Sequence, residues 1–285
     1  MADKGEPHSI DALVPAEIAH KAEAIGAQKV RLDVVSLLVL AILAGAFIAL
    51  GAMFATTVLA GADGVLPFGL SRLLAGVVFC LGLVLVVLGG AELFTGNTLM
   101  VMALASRKVR LAEMLRAWVI VYVGNFIGAI GVAVLVIAGG QYRFGGGSVA
   151  KVALGIAVDK VNLPFEQALA LGILCNVLVC LAVWLSLGAR TTADKVLAIV
   201  FPVSAFVAAG FEHSVANMYF VPLGLLMKMA APAEMWTEIG AIAQLDSLTW
   251  GAFFWSLVPV TIGNIIGGSV LVGGVYWFVY LRKAE

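Results

Sequence analysis

The sequence predicts an all-α integral membrane protein of six transmembrane helices, arranged as an inverted 3+3 repeat with two broken helices. Composition is the first reason. Of 285 residues 62% are hydrophobic and only 12% charged, with a mean hydropathy of +1.09, more apolar surface than a soluble domain buries. The apolar residues form continuous runs, which fits helices and not the alternation of barrel strands. The second reason is the length of two runs. Leu74–Ala105 and Val196–Met227 each hold 32 residues, about 48 Å as a straight helix against a hydrocarbon core of roughly 30 Å. Each is therefore read as two half-helices around a polar, non-helical break, with a long tilted helix as the alternative. The third reason is their likeness. Both carry a Glu near the middle and an Asn five residues later, Glu92 with Asn97 and Glu212 with Asn217.

In chain order, residues 1–9 read as disordered and residues 1–31 as a cytoplasmic N-terminal segment. From Ile10 to Val30, apolar positions recur at helical spacing beside Glu17, His20, Lys21 and Glu23, predicting an amphipathic helix on the membrane surface. Residues 32–285 form one transmembrane domain, with repeats at about 32–139 and 165–281. The spans cover Val34–Leu59, the first long run, Leu111–Ala138, Phe165–Leu187, the second long run and Gly251–Leu281. Gly124-Asn125-Phe126-Ile127-Gly128 in span three resembles Gly263-Asn264-Ile265-Ile266-Gly267 in span six. Three spans per copy is odd, so the copies insert with opposite orientation. Twelve of the seventeen Lys and Arg then fall on one side, and the positive-inside rule puts both termini in the cytoplasm of a cell (inner or plasma) membrane. The polar start, with Asp3, Glu6 and Pro7, gives no signal peptide.

Several function classes are excluded. A net charge of zero argues against nucleic acid. Cys80, Cys175 and Cys180 lie in apolar runs without metal spacing. Of three histidines, His8 and His20 lie outside the spans, so no haem, zinc or other cofactor is supported. The chain is not expected to be an enzyme.

The breaks carry the chemistry. A broken helix exposes backbone N–H groups at a half-helix N-terminus, where small anions or polar solutes are stabilised, and inverted repeats with such helices mark transporters. Thr95, Asn97, Ser214 and Asn217 supply hydroxyls and amides, either to cap the half-helices or to face a solute. Glu92 and Glu212 read as acceptors of loop or helix N–H groups that brace the breaks. His213 has two readings: a structural histidine, or a midplane group lending charge or a proton to a passing anion. Phe79, Leu83, Leu93, Phe94, Phe206 and Phe211 flank the breaks as packing or as apolar constrictions.

At these residues the sequence resembles the formate/nitrite transporter family. The motifs are Ala91-Glu92-Leu93-Phe94-Thr95-Gly96-Asn97, Gly210-Phe211-Glu212-His213-Ser214-Val215-Ala216-Asn217-Met218 and Pro259-Val260-Thr261-Ile262-Gly263-Asn264-Ile265-Ile266-Gly267-Gly268. The resemblance implies an aquaporin-like protomer, a homopentamer in membrane lipids, and one pore per protomer for small monovalent anions such as formate, nitrite, hydrosulfide and lactate. It implies Leu93 at a cytoplasmic constriction and Phe79 and Phe206 at aromatic pore positions, with Leu83 beside Phe206 at a periplasmic constriction. It further implies His213 facing Thr95, Lys160 drawing anions inward, and Asn176 and Asn264 near the pore. Formate is the first expected substrate, since the second half resembles formate channels most. Gly96-Asn97 looks more like the nitrite and hydrosulfide branches, which are the alternative. A neutral-solute channel is the remaining one, although the Asn-Pro-Ala motif of aquaporins is absent.

Overall fold

The computed structural model describes residues 11–282, apart from the side chain of Glu238. The expected disorder of residues 1–9, and the start of the amphipathic helix at Ile10, lie outside them. Helix α1 runs from Pro15 to Val30. Proline disfavours helical backbone at the residue before it and suits the first helical position, and the Glu17 carboxylate accepts the Val14 N–H at 2.9 Å. Ile18, Ala19 and Ala22 pack against Met102, Trp184 and Leu281. The apolar face of α1 is thus covered by protein; periodicity reports an apolar face but not what covers it. Lys21 Nζ donates to the Leu187 carbonyl (2.8 Å), Arg190 Nε to that of Asp11 (2.7 Å), and Lys108 pairs with the buried Glu23.

The remaining helices are α2 (Val34–Leu59), α3 (Phe68–Gly89), α4 (Phe94–Asn97), α5 (Val101–Ala105), α6 (Leu111–Ala138), α7 (Ser148–Val161), α8 (Phe165–Gly188), α9 (Thr192–Ala208), α10 (Ser214–Ala230), α11 (Ala233–Ile239), α12 (Trp250–Ile265) and α13 (Val275–Tyr280). A 3₁₀ turn, Thr98–Met100, joins α4 to α5, and a π-helical stretch, Ile266–Gly274, joins α12 to α13. Among the described residues, five helical segments are long and apolar enough to cross a membrane: α2, α3, α6, α8 and Trp250–Tyr280. They expose Val35, Leu43, Phe54, Leu135 and Phe254 among many large apolar side chains, as a surface facing lipid or further copies would. Between spans three and four, where hydropathy assigns no element, α7 packs on α10 and buries Leu154 and Ala157.

Two helix pairs approach at backbone distance. A Cβ on Gly45 of α2 would overlap the Asn125 carbonyl of α6, and one on Gly128 would overlap the Ile42 carbonyl. Between α8 and α12, a Cβ on Gly263 would overlap the Leu169 carbonyl and one on Gly267 that of Ile173. Small residues four apart allow such contact between membrane helices. In each pair an Asn, 125 or 264, follows the first glycine of the motif.

The breaks fall where the long apolar runs predict them. Helix α3 stops at Gly89, Gly90 turns left-handed (φ 76°) and Leu93 is extended before α4 begins. Helix α9 stops at Ala208, Gly210 turns left-handed at the same φ of 76°, and His213 is extended before α10. Only glycine takes that turn without a steric penalty.

Candidate functional site

The two breaks are held by matching hydrogen bonds. The Glu92 N–H donates to the Leu40 carbonyl (3.1 Å) and the Glu212 N–H to that of Leu171 (3.3 Å). Asn125 Nδ2 donates to the carbonyls of Ala41 (2.8 Å) and Glu92 (2.9 Å), while its Oδ1 accepts the Phe94 N–H (2.9 Å). Asn264 Nδ2 donates to those of Gly172 (2.8 Å) and Glu212 (2.9 Å), and its Oδ1 accepts the Ser214 N–H (2.9 Å). Each asparagine therefore satisfies the extended backbone and the first N–H of the half-helix after it. Both are fully buried, where unpaired backbone groups would be costly.

The carboxylates depart from expectation. Glu92 accepts from Asn97 Nδ2 (2.8 Å) and pairs with Lys29 (3.0 Å), whose Nζ also donates to Asn97 Oδ1 (2.9 Å). Glu212 accepts from Asn217 Nδ2 (2.7 Å) and from Lys160 at both oxygens (2.9 and 3.0 Å). They hold lysines and amides instead of backbone N–H groups. Asn97 and Asn217 likewise clamp carboxylates and do not cap the half-helices, because Asn125, Asn264 and His213 already take the first N–H groups. Lys29 and Asn125 were not among the residues singled out from sequence. A signal existed for both: Lys29 precedes Leu40 by the eleven residues that separate Lys160 from Leu171, and Asn125 matches Asn264 in the Gly-Asn motif.

Two cavities reach these networks. One, about 250 Å³, is lined by Arg72, Phe79, Asp159, Lys160, Glu212 and His213 among others. The second, about 210 Å³, is lined by Lys29, Leu83, Glu92, Leu93, Gly96 and Asn97 among others. Helix α3 contributes Arg72, Ala75 and Phe79 to the first and Leu83, Val86 and Val87 to the second. The cavities thus lie toward opposite ends of α3 and approach within one turn, about 6 Å of rise between Phe79 and Leu83.

His213 and Thr95 stand at this approach. His213 lines the first cavity; Thr95, in α4, lines neither, but Leu93 and Gly96 close to it in the chain line the second. Imidazole Nδ1 of His213 accepts the Ala216 N–H (3.0 Å), making His213 the N-cap of α10. Nδ1 is therefore the unprotonated nitrogen, and in neutral imidazole the proton sits on Nε2. Nε2 lies 2.9 Å from Thr95 Oγ1, so the ring donates and the hydroxyl accepts. Among the described residues nothing else takes the Thr95 O–H. Phe206 stacks on the imidazole at 6.0 Å, and Phe79 meets Phe206 edge-to-face at 5.8 Å.

Other expected residues fall differently. Leu83 lines the second cavity with Leu93, while Phe206, expected beside it, lines neither cavity. Phe94 lines neither cavity; it packs edge-to-face on Trp118 (5.9 Å) and Tyr122 (4.9 Å) of α6. Asn176 and Asn264 also line neither. Asn176 Nδ2 donates to the Thr95 carbonyl, Thr98 Oγ1 and the Asn264 carbonyl at 3.3, 3.1 and 2.5 Å, tying the first break to α12.

The sequence profile described as formate/nitrite transporter matches residues 16–278. The chain belongs to the formate/nitrite transporter family. This family member is 42% identical over 277 residues to the formate channel FocA of Escherichia coli K12, covering 96% of this chain and 97% of that one. It is 40% identical to a probable formate transporter of Methanothermobacter thermautotrophicus, over 94% and 97% of the two chains. A solved structure titled pentameric formate channel with formate bound superposes with a TM-score of 0.83 at 43% identity, over 87% of this transporter and 98% of that chain. An FNT family ion channel superposes at 0.80 with 29% identity, over 92% and 98%. The family assignment makes this a multi-pass membrane transport protein.

Proposed function

We propose that this protein is a channel for small monovalent anions, formate first, running between the two cavities past His213 and Thr95. One observation carries the reading. Two cavities, each with a half-buried lysine paired to a buried glutamate at a helix break, approach within one turn of α3 near a histidine–threonine hydrogen bond. The formate channels among its relatives favour formate over nitrite or hydrosulfide. The matched bonding of the two breaks supports the inverted repeat and, with it, an aquaporin-like protomer. By the same likeness the protein is a homopentamer in the inner membrane with both termini cytoplasmic, so that the Lys29 cavity faces the cytoplasm and the Lys160 cavity the outside.

An anion leaving either vestibule crosses an apolar stretch, Phe79 and Phe206 on one side and Leu83 and Leu93 on the other, that excludes hydrated ions. Beyond it the Thr95 O–H is free to donate, and His213 Nε2–H stands behind it. Were His213 to relay a proton to formate, Nδ1 would first take one up from water in the adjoining cavity, releasing the Ala216 N–H. The imidazolium would then give its Nε2 proton to formate, making formic acid and leaving the ring neutral. Proton coupling would therefore use the cap of α10 as its counter-movement. A neutral-solute channel is disfavoured by the formate channels among its relatives. Uptake of formate, nitrite, hydrosulfide, lactate and glycerol by proteoliposomes tests the assignment. Normal proton-coupled formate flux in His213→Phe would refute the relay.

A further inference from the structure

We infer that Arg72 is the anion-capture residue of the Lys160 cavity and selects anions with two oxygens on one centre; this rests on the channel reading above. The other charged groups in the wall are accounted for. Lys160 is held by both oxygens of Glu212, so its charge is largely neutralised at the site. Asp159 is exposed, where water and salt screen it. Arg72 is half-buried and makes no salt bridge among the described residues, the Glu212 carboxylate acting on it only at longer range. It clamps the end of α9 instead: Nε donates to the Ala208 carbonyl (3.2 Å) and Nη2 to that of Val207 (2.7 Å).

That clamp uses one edge of the guanidinium. A guanidinium has five N–H donors in a rigid fork, and three remain here: both on Nη1 and one on Nη2. One Nη1–H and the remaining Nη2–H form the end-on fork. Two parallel donors on a cation match the two oxygens of formate or nitrite, a geometry that an ammonium cannot supply. Hydrosulfide, with one sulfur, gains nothing from a fork. The clamp also fixes the guanidinium against the turn at Gly210, whose missing Cβ would lie 3.3 Å from Nη2. The same residue therefore joins α3 to the second break and presents a pre-oriented donor pair to the cavity.

The test is the concentration dependence of formate, nitrite and hydrosulfide flux in proteoliposomes of the full chain, wild type against Arg72→Lys and Arg72→Gln. Arg72→Lys keeps the charge and removes the fork. Its half-saturation concentration is expected to rise about tenfold for formate and nitrite and less than about twofold for hydrosulfide, with maximal flux retained. Arg72→Gln, where it folds, also loses the ionic-strength dependence of formate entry; where it does not fold, Arg72→Lys alone decides. A purely structural clamp would lower maximal flux or yield of folded protein equally for all three anions. An unchanged formate-to-hydrosulfide ratio in Arg72→Lys, beside normal wild-type flux, overturns the inference alone. Absence of anion flux in the wild type would overturn the channel reading and this inference with it.

Discussion

Replacing Asn264 with leucine tests how the second break is held. The change keeps the volume roughly constant and removes three bonds: acceptance of the Ser214 N–H and donation to the Gly172 and Glu212 carbonyls. Gly172 keeps the bonding of its own helix, whereas the Ser214 N–H and the Glu212 carbonyl are left buried. In membrane helix bundles such bonds contribute about 0.6 kcal/mol on average and at most about 1.7, so three set a loss of about 2–5 kcal/mol. We predict that Asn264→Leu lowers unfolding stability in detergent by that amount and lowers flux with it. Asn125→Leu removes the matching three bonds at the first break and is expected to lose a similar amount. Denaturant titration followed by tryptophan fluorescence measures both. Unchanged stability in either variant, or a loss confined to one, would refute the equivalence of the two breaks.

Further outcomes are expected. Lys160→Met leaves the buried Glu212 carboxylate without its cation and should cost about 3–5 kcal/mol, most of which Glu212→Gln in the same chain should recover; lack of recovery would deny the pairing. Gly268→Ala drives a methyl into Thr98 Oγ1, Asn176 Nδ2 and Cys180 Sγ and should destabilise by about 1–3 kcal/mol, read as a lower unfolding temperature. Thr95→Val removes the acceptor of His213 Nε2–H and should cut formate flux, while Thr95→Ser preserves it; equal flux in both would separate this pair from conduction. Asp33 caps α2 outside the spans, and its carboxyl is held below the usual range chiefly by the Ser36 N–H, then by the Ser36 hydroxyl and, more weakly, the Val35 N–H. A depressed folded value contributes stability above the unfolded carboxylate value that is lost as pH falls through the folded one. Asp33→Ala should therefore be less stable than wild type near neutral pH, with the gap closing in acid; a gap independent of pH would contradict this.

Both breaks were legible because length and charge leave few alternatives: 32 apolar residues overrun the bilayer, and each run carries a Glu near its middle. The partners of the breaks were only half legible. Lys160 and Asn264 came from family motifs, while Lys29 and Asn125 required aligning the two halves residue by residue. The role of Glu92 and Glu212 was misread because sequence locates a carboxylate but not the competition for N–H groups around it. Asn125 and Asn264 reach those groups first, leaving the carboxylates to the lysines. The cover on α1 was invisible for a related reason, since Met102, Trp184 and Leu281 that bury its apolar face are distant in the chain. Helix α7 escaped hydropathy because its 14 residues mix buried Leu154 and Ala157 with exposed Lys151 and Asp159. Neither cavity could be read from sequence, as each draws on several elements.

The most direct test of the central claim is flux in proteoliposomes of the purified full chain, with membrane current and internal pH recorded together under a formate gradient. The account predicts saturable formate flux, selective over glycerol and reduced in Thr95→Val, with a ratio of charge to protons that depends on pH. Glycerol or water flux without formate flux would contradict it, leaving the fold in place and removing the anion path past His213 and Thr95.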